Sequence, residues 1–137
     1  MHKGFLKAGA FIGALSVILG AFAAHKIKGM VSDNALNIFE TAVRYQFYHA
    51  FALIFTGIIY KEFSYKCTLW AGRLFIAGIL LFSGSLYFLA YLQATVTPGY
   101  AWVGPITPIG GAAFIAGWVC LFVAFFKKGN SKAINRE

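Results

Sequence analysis

The sequence predicts an all-α membrane protein in which four helices cross the bilayer. Of its 137 residues, 60% are hydrophobic and only 12% are charged, whereas about one-quarter of an average soluble domain is charged. A soluble domain of this size could not bury so much apolar surface. The apolar residues also fall in four long runs separated by polar or turn-forming segments. Each run is close to the roughly 20 residues that a membrane helix needs.

The first predicted helix covers residues 5–24 and is flanked by lysines. A secretory signal peptide is the rival interpretation, because the sequence AFA at residues 21–23 resembles a cleavage site. The apolar run of about 20 residues favours an uncleaved membrane helix. Gly9, Gly13 and Gly20 lie on one face of this helix, in a pattern that lets helix backbones approach closely. This face packs either within the chain or in a dimer.

The second predicted helix, residues 34–60, is about 40 Å long at about 1.5 Å per residue. The hydrocarbon core of a bilayer is only about 30 Å thick. The first turns of this helix therefore form an amphipathic extension at the outer membrane surface. Glu40 and Arg44 lie there four residues apart, as expected of an ion pair. Tyr45 and His49 face the other way, and His49 is predicted to point into the bundle.

Residues typical of helix N-termini mark where two of the helices begin. Ser32 or Asp33 is predicted to cap the second helix. Thr107 is predicted to cap the fourth helix, with Pro108 at its first position.

The remaining boundaries follow from hydropathy and turn residues. A basic and aromatic loop is predicted over residues 61–73, followed by the third helix over residues 74–92. Residues 93–107 carry no charge and contain prolines and glycines, which indicates a turn. The fourth helix ends near residue 126.

The distribution of basic residues predicts the orientation. Most of them belong to the N-terminus, the second loop and the C-terminal tail, which four crossings place on one side: Lys3, Lys7, Lys61, Lys66, Arg73, Lys127, Lys128, Lys132 and Arg136. The positive-inside rule then places both termini in the cytoplasm. Residues 1–128 form one transmembrane domain, and residues 129–137 form a short polar cytoplasmic tail.

The net charge of +8 indicates which kinds of partner the protein favours. On the cytoplasmic face it favours contact with anionic lipid headgroups. Nucleic-acid binding is not predicted, because the chain offers no soluble basic surface with aromatic platforms.

With this orientation, the unusual polar residues gather in the outer half of the bilayer. Polar groups in a membrane are costly and indicate a functional site when they face the bundle interior. The sequence therefore predicts an outward-facing polar binding site. Its candidate residues are His25, Glu40, Arg44, Tyr45, His49, Ser83, Ser85, Tyr87 and Thr107.

The residue types at this predicted site do not indicate an enzyme. The sequence contains no catalytic triad pattern, no phosphate-binding glycine loop and no paired carboxylates. His25 and His49 have no further Cys, Asp or His at ligand spacing, so neither a metal nor a cofactor is predicted. His49 either hydrogen-bonds a Ser, a Tyr or a backbone carbonyl across the bundle, or takes up a proton.

Four segments resemble a known family. They are GAFAAH at residues 20–25, ETAVRYQFYH at residues 40–49, FSGSLY at residues 82–87 and GPITPIGG at residues 104–111, followed by Trp118. They are similar, in the same order, to the YgdD/YwdK-type small membrane proteins of the UPF0382 family, which has eukaryotic relatives. The resemblance implies a four-helix inner-membrane protein without an established activity. It supplies no catalytic residues.

Two functional hypotheses follow. The first is a small permeation or transport protein that forms a homo-oligomer and uses the outward-facing polar site. The second is a structural or assembly protein whose small-residue faces dock helices of a foreign membrane protein.

Overall fold

A computed structural model describes residues 1–63, 65–99 and 101–127. The tail predicted over residues 129–137 lies outside the described residues. Throughout the described part the secondary structure is helical, which confirms the all-α prediction. The elements are α1 (Lys3–Phe22) with a π-helical turn at its end (Ala23–Ile27), α2 (Asp33–Ile59), α3 (Tyr65–Gly78), a second π-helical turn (Ile79–Ser83), α4 (Gly84–Ala94), a 3₁₀ turn (Ala101–Val103) and α5 (Ile106–Phe126).

Three of the helical segments are long and apolar enough to cross a membrane. They are Lys3–Ile27, Tyr65–Ala94 and Ala101–Phe126. The 27 residues of α2 are long enough, but its middle carries Arg44, Gln46 and His49, so its composition alone does not place it across the bilayer. A fourth crossing therefore stays a prediction.

Side chains fix the starts of α1 and α2. The Ser32 hydroxyl accepts a hydrogen bond from the Ala35 amide at 3.2 Å, so Ser32 is the N-cap of α2. In α1, His2 Nδ1 accepts a hydrogen bond from the Phe5 amide at 3.1 Å. The His2 amide also donates to the Gly57 carbonyl of α2 at 2.7 Å. These bonds let α1 begin two residues earlier than the apolar pattern predicts.

The prediction of a loop over residues 61–73 is wrong for most of these residues, because α3 already begins at Tyr65. Thr68, Ala71 and Gly72 are buried in this first part of α3. A methyl group on Gly72 would overlap the Phe5 ring, so α1 packs directly against it. Hydropathy marks where the hydrocarbon ends, but a helix continues past that point when its neighbours still bury one of its faces.

The predicted cap of α5 is also wrong. This helix begins at Ile106 after Pro105, and no side chain caps it. Thr107 lies in its first turn, and the Thr107 hydroxyl is 2.7 Å from the Ser85 hydroxyl. The Thr107 hydroxyl therefore bonds across the bundle instead of capping α5. Pro108 lies within the first turn of the helix, where backbone amides have no intrahelical partner, so its missing N–H costs no hydrogen bond.

The packing centre lies between α2, α3 and α5. The helix α2 contacts α1 on one side and α3 and α4 on the other, while α5 packs on α3 and the second π-helical turn. Phe75, Phe114 and Leu121 are the large side chains of the buried core. Glycines allow the closest approaches. A methyl group on Gly110 of α5 would lie 2.7 Å from the Phe82 Cα atom.

The small-residue face of α1 serves packing within the chain, and the approach is closest at Gly9. A methyl group on Gly9 would lie 2.9 Å from the Ala50 carbonyl oxygen of α2, so the two backbones meet there. At Gly13 the nearest atom, the Ala50 Cβ, is 3.9 Å away. At Gly20 a methyl group would lie 3.5 Å from the Val43 Cγ1 atom, so beyond Gly9 the two helices stay in contact through side chains instead of backbone against backbone.

Gly110→Ala tests the contact between α5 and the second π-helical turn. We expect it to lower the free energy of unfolding by about 1–3 kcal/mol, because a backbone cannot move aside as a side chain can. Gly84→Ala is the control, since open space surrounds Gly84 and alanine favours a helix more than glycine by about 1 kcal/mol. Unfolding by SDS in mixed micelles measures both. Equal effects of the two substitutions would contradict this packing.

Candidate functional site: a closed polar interior and a charged groove

His49 is held at the bundle centre in one tautomer. Its Nδ1 atom is 2.8 Å from the Tyr45 carbonyl oxygen, and Trp118 Nε1 of α5 donates to its Nε2 atom at 3.2 Å. Because an indole N–H can only donate, Nε2 must accept and Nδ1 must carry the proton. The His49 ring also stacks on Phe114, with centroids 3.5 Å apart. This neutral ring links α2 to α5. The carbonyl that it contacts belongs to its own helix, and its partner across the bundle is Trp118, not the predicted Ser, Tyr or backbone carbonyl.

Gln46 connects three helices one turn away from His49. Its side-chain oxygen accepts a hydrogen bond from the Tyr87 hydroxyl of α4 at 2.8 Å. Its Nε2 atom donates to the Ile12 carbonyl of α1 at 3.3 Å, which also accepts from the Ser16 hydroxyl at 2.8 Å. Gln46 and Trp118 were absent from the predicted site. An amide in an apolar helix must find partners inside the protein, and that signal could have identified Gln46.

The two predicted serines complete the interior network. The Ser83 hydroxyl donates to the Ala42 carbonyl of α2 at 2.9 Å, and Ser85 shares its bond with Thr107. Within residues 1–63, 65–99 and 101–127, no buried side-chain nitrogen or oxygen lacks a hydrogen-bond partner. The interior polar groups are therefore satisfied by the chain itself.

Glu40 and Arg44 face away from this network, as predicted, into a groove between α1 and α2. The outer segment of this groove has a volume of about 340 Å³, and its floor is made of small α1 residues, Ser16, Gly20 and Ala23. The predicted ion pair is not formed: in the described part of the chain, neither charged group has a counter-charge within 4 Å. Arg44 is exposed and Glu40 is half-buried.

The groove continues along α1 beyond the two charges. Its inner segment has a volume of about 180 Å³ and includes Gly13 and Ala14 of α1. Val17 and Phe47 line both segments, so the two are continuous. The α1–α2 groove is therefore charged at one end and apolar along the rest.

The side chains of the other two predicted residues form no hydrogen bond in the interior network and do not line the groove. His25 is exposed in the π-helical turn after α1. Tyr45 contributes its carbonyl to His49, while its ring packs on Phe82 and stays 39% exposed. The predicted residues thus divide between the interior network, the groove and the surface, and one chain does not gather them into a single cavity.

Residues 19–111 match the family described as "Protein of unknown function (DUF423)". The chain belongs to the DUF423 family. It is 45% identical over 125 residues to the UPF0382 membrane protein SAB0533 of Staphylococcus aureus, covering 91% of this chain and 97% of that protein. The UPF0382 membrane protein YwdK of Bacillus subtilis is 40% identical over 126 residues, covering 91% and 98%. No solved structure matches the chain.

The DUF423 match confirms the resemblance found in the sequence and agrees with a bacterial membrane protein. The matched region contains Glu40, Arg44, Gln46 and His49, so both the groove charges and the centre of the polar network lie within it. The relatives are named only as membrane proteins, and the names assign no activity to these residues.

Trp118→Phe tests the bond that holds His49. We expect the free energy of unfolding to fall by about 1–2 kcal/mol, because His49 Nε2 loses its donor while the aromatic packing on Phe75 is kept. Trp102→Phe is the matched control, since Trp102 is 62% exposed and should change stability by less than about 0.5 kcal/mol. SDS unfolding of both variants measures the difference. A Trp118 variant as stable as the Trp102 variant would show that the bond does not contribute.

Proposed function

We propose that this protein is a docking protein of the membrane, which binds a membrane component in the α1–α2 groove. One observation carries the proposal: Glu40 and Arg44 share this groove without a counter-charge from the described chain. Charged groups near the hydrocarbon are costly unless they are paired. A bound component that brings both a cation and an anion would pair the two residues.

The interior supports docking over permeation. A permeation path needs polar side chains that face water, and the polar residues at the bundle centre instead bond to one another. The large aromatic side chains Phe75 and Phe114 fill the space beside them. The groove, in contrast, is open on the outer surface of the helices. Association of several copies stays a prediction, and a second copy is one component that the groove would accept.

The proposal places the protein in the bacterial cell membrane with four crossings and cytoplasmic termini. The internal partners of Gln46 and His49 support α2 as the fourth crossing, because hydrogen bonds inside the bundle offset the cost of their polar groups. The basic residues near both termini support the orientation and contact with anionic lipids. The groove charges then lie at the outer surface.

Reporter fusions test this orientation. Alkaline phosphatase, which is active only outside the cytoplasm, should be inactive when fused after Phe126 and active when inserted beside Gly29, in the turn between α1 and α2. Green fluorescent protein should give the opposite pattern, because it folds in the cytoplasm. Phosphatase activity at both positions would place both outside the cytoplasm, which requires an even number of crossings between them and contradicts the three crossings proposed.

Photo-crosslinking tests the docking role. A diazirine amino acid at Val43, which lines the groove, should give a defined adduct in native membranes. Arg44→Leu should lower the adduct yield by about tenfold, because one charge-assisted hydrogen bond contributes about 1.5–3 kcal/mol. The control position is Ile109, which is 59% exposed near the start of α5. The proposal fails if Val43 gives no more adduct than Ile109, or if Arg44→Leu changes neither.

A further inference from the structure

We propose that the α1–α2 groove binds an aminophospholipid, with its phosphate on Arg44, its ammonium on Glu40 and one acyl chain along α1. This inference rests on the proposed docking function and names the component. It draws on three properties of the groove: the depth of the charges, their order and the length of the apolar part.

The depth of the two charged residues in the membrane follows from the length of α2. Its 27 residues span about 40 Å at about 1.5 Å per residue, which exceeds the hydrocarbon core by about 10 Å. If α2 ends at the far boundary of the core, Glu40 lies at the near boundary. Arg44, four residues further on, lies about 6 Å deeper. Glu40 therefore lies at the level of the lipid headgroups, and the long Arg44 side chain reaches the lower edge of that level, because side chains on a helix point toward its N-terminus.

The order of the charges selects the headgroup. In a glycerophospholipid the phosphate is attached to the glycerol, and an ethanolamine or similar amine lies further out. The guanidinium of Arg44 is the deeper group and suits a phosphate, to which arginine donates paired hydrogen bonds. The carboxylate of Glu40 is the shallower group and accepts hydrogen bonds from an ammonium. An anionic lipid without an amine would pair with Arg44 only and would place its negative charge beside Glu40.

The apolar part of the groove is about as long as one leaflet is thick. From Gly20, which faces Val43 beside Arg44, to Gly9 the groove runs for about 16 Å at about 1.5 Å per residue, and half of the hydrocarbon core is about 15 Å. The floor consists of small residues, and Phe47 of α2 forms a wall along both segments. An extended acyl chain fits this shape.

The width favours a lipid over a protein helix. The α1 and α2 backbones meet at Gly9, so the groove narrows toward its inner end and holds only about 180 Å³ there. A helix with side chains is about 10–12 Å across and would lie on the rim of this segment, whereas an acyl chain can lie within it. A second copy of the chain would reach the charges without filling the groove, and the experiment below distinguishes it.

Native mass spectrometry of the detergent-purified protein tests the inference. Phosphatidylethanolamine, phosphatidylcholine and phosphatidylglycerol with identical acyl chains are added in turn. We expect phosphatidylethanolamine to bind about tenfold more tightly than the other two. Choline has no N–H group to donate to Glu40, and glycerol carries no positive charge. Glu40→Gln should remove this preference, and Arg44→Gln should weaken the binding of all three lipids.

An exchange variant provides the sharpest comparison. Glu40→Arg combined with Arg44→Glu keeps both charges in the groove but reverses their order, so the preference for phosphatidylethanolamine should disappear. Glu62→Gln and Arg73→Gln, which change the same residue types at the other end of the bundle, should preserve it. Melting temperatures in detergent show whether each variant is folded, and Glu40→Gln supplies the test if the exchange variant is not.

Equal binding of the three lipids, strongest binding of phosphatidylglycerol, or an unchanged preference in the exchange variant would each overturn the inference. A protein adduct at Val43 without lipid selectivity would also overturn it and leave the docking function standing. If Val43 gives no adduct above the control, the docking function fails as well.

Discussion

The structure depends on one constraint: a polar group placed among apolar helices must find its hydrogen-bond partners inside the protein. The middle of α2 meets this constraint through its neighbours. Gln46 bonds to α1 and α4, and His49 bonds to its own helix and to α5. These bonds also fix the rotation of α2, because turning it would leave several groups without partners. The same rotation directs Glu40 and Arg44 outward.

Small residues let the helices come close enough to form these bonds. Gly110 brings α5 against the backbone of the second π-helical turn, and Gly9 brings α1 against α2. Side chains on the adjacent turns then reach across, as Ser85 and Thr107 do. Close packing and internal hydrogen bonding therefore support each other, and both are provided without any charged residue in the interior described by the structure.

In the α1–α2 groove, charge meets the apolar exterior of the proposed membrane-embedded region. An ion pair inside the bundle could stabilise the fold, but Glu40 and Arg44 lie on its outside and do not form an ion pair with each other. Lipid-facing charge is tolerated when it reaches the headgroup layer or a partner. The proposed aminophospholipid meets both conditions, since its phosphate and ammonium have the same order along the membrane normal as Arg44 and Glu40.

The sequence by itself determined the helical class, the membrane environment, the bounds of α2 within one residue and the opposite directions of Arg44 and His49. These depend on composition and on helical periodicity, which are local properties. Only the tertiary structure decided that α3 begins at Tyr65, that Thr107 bonds to Ser85 instead of capping α5, and that Trp118 is the partner of His49. Each of these depends on contacts between residues far apart in the chain, whose distances no local pattern specifies.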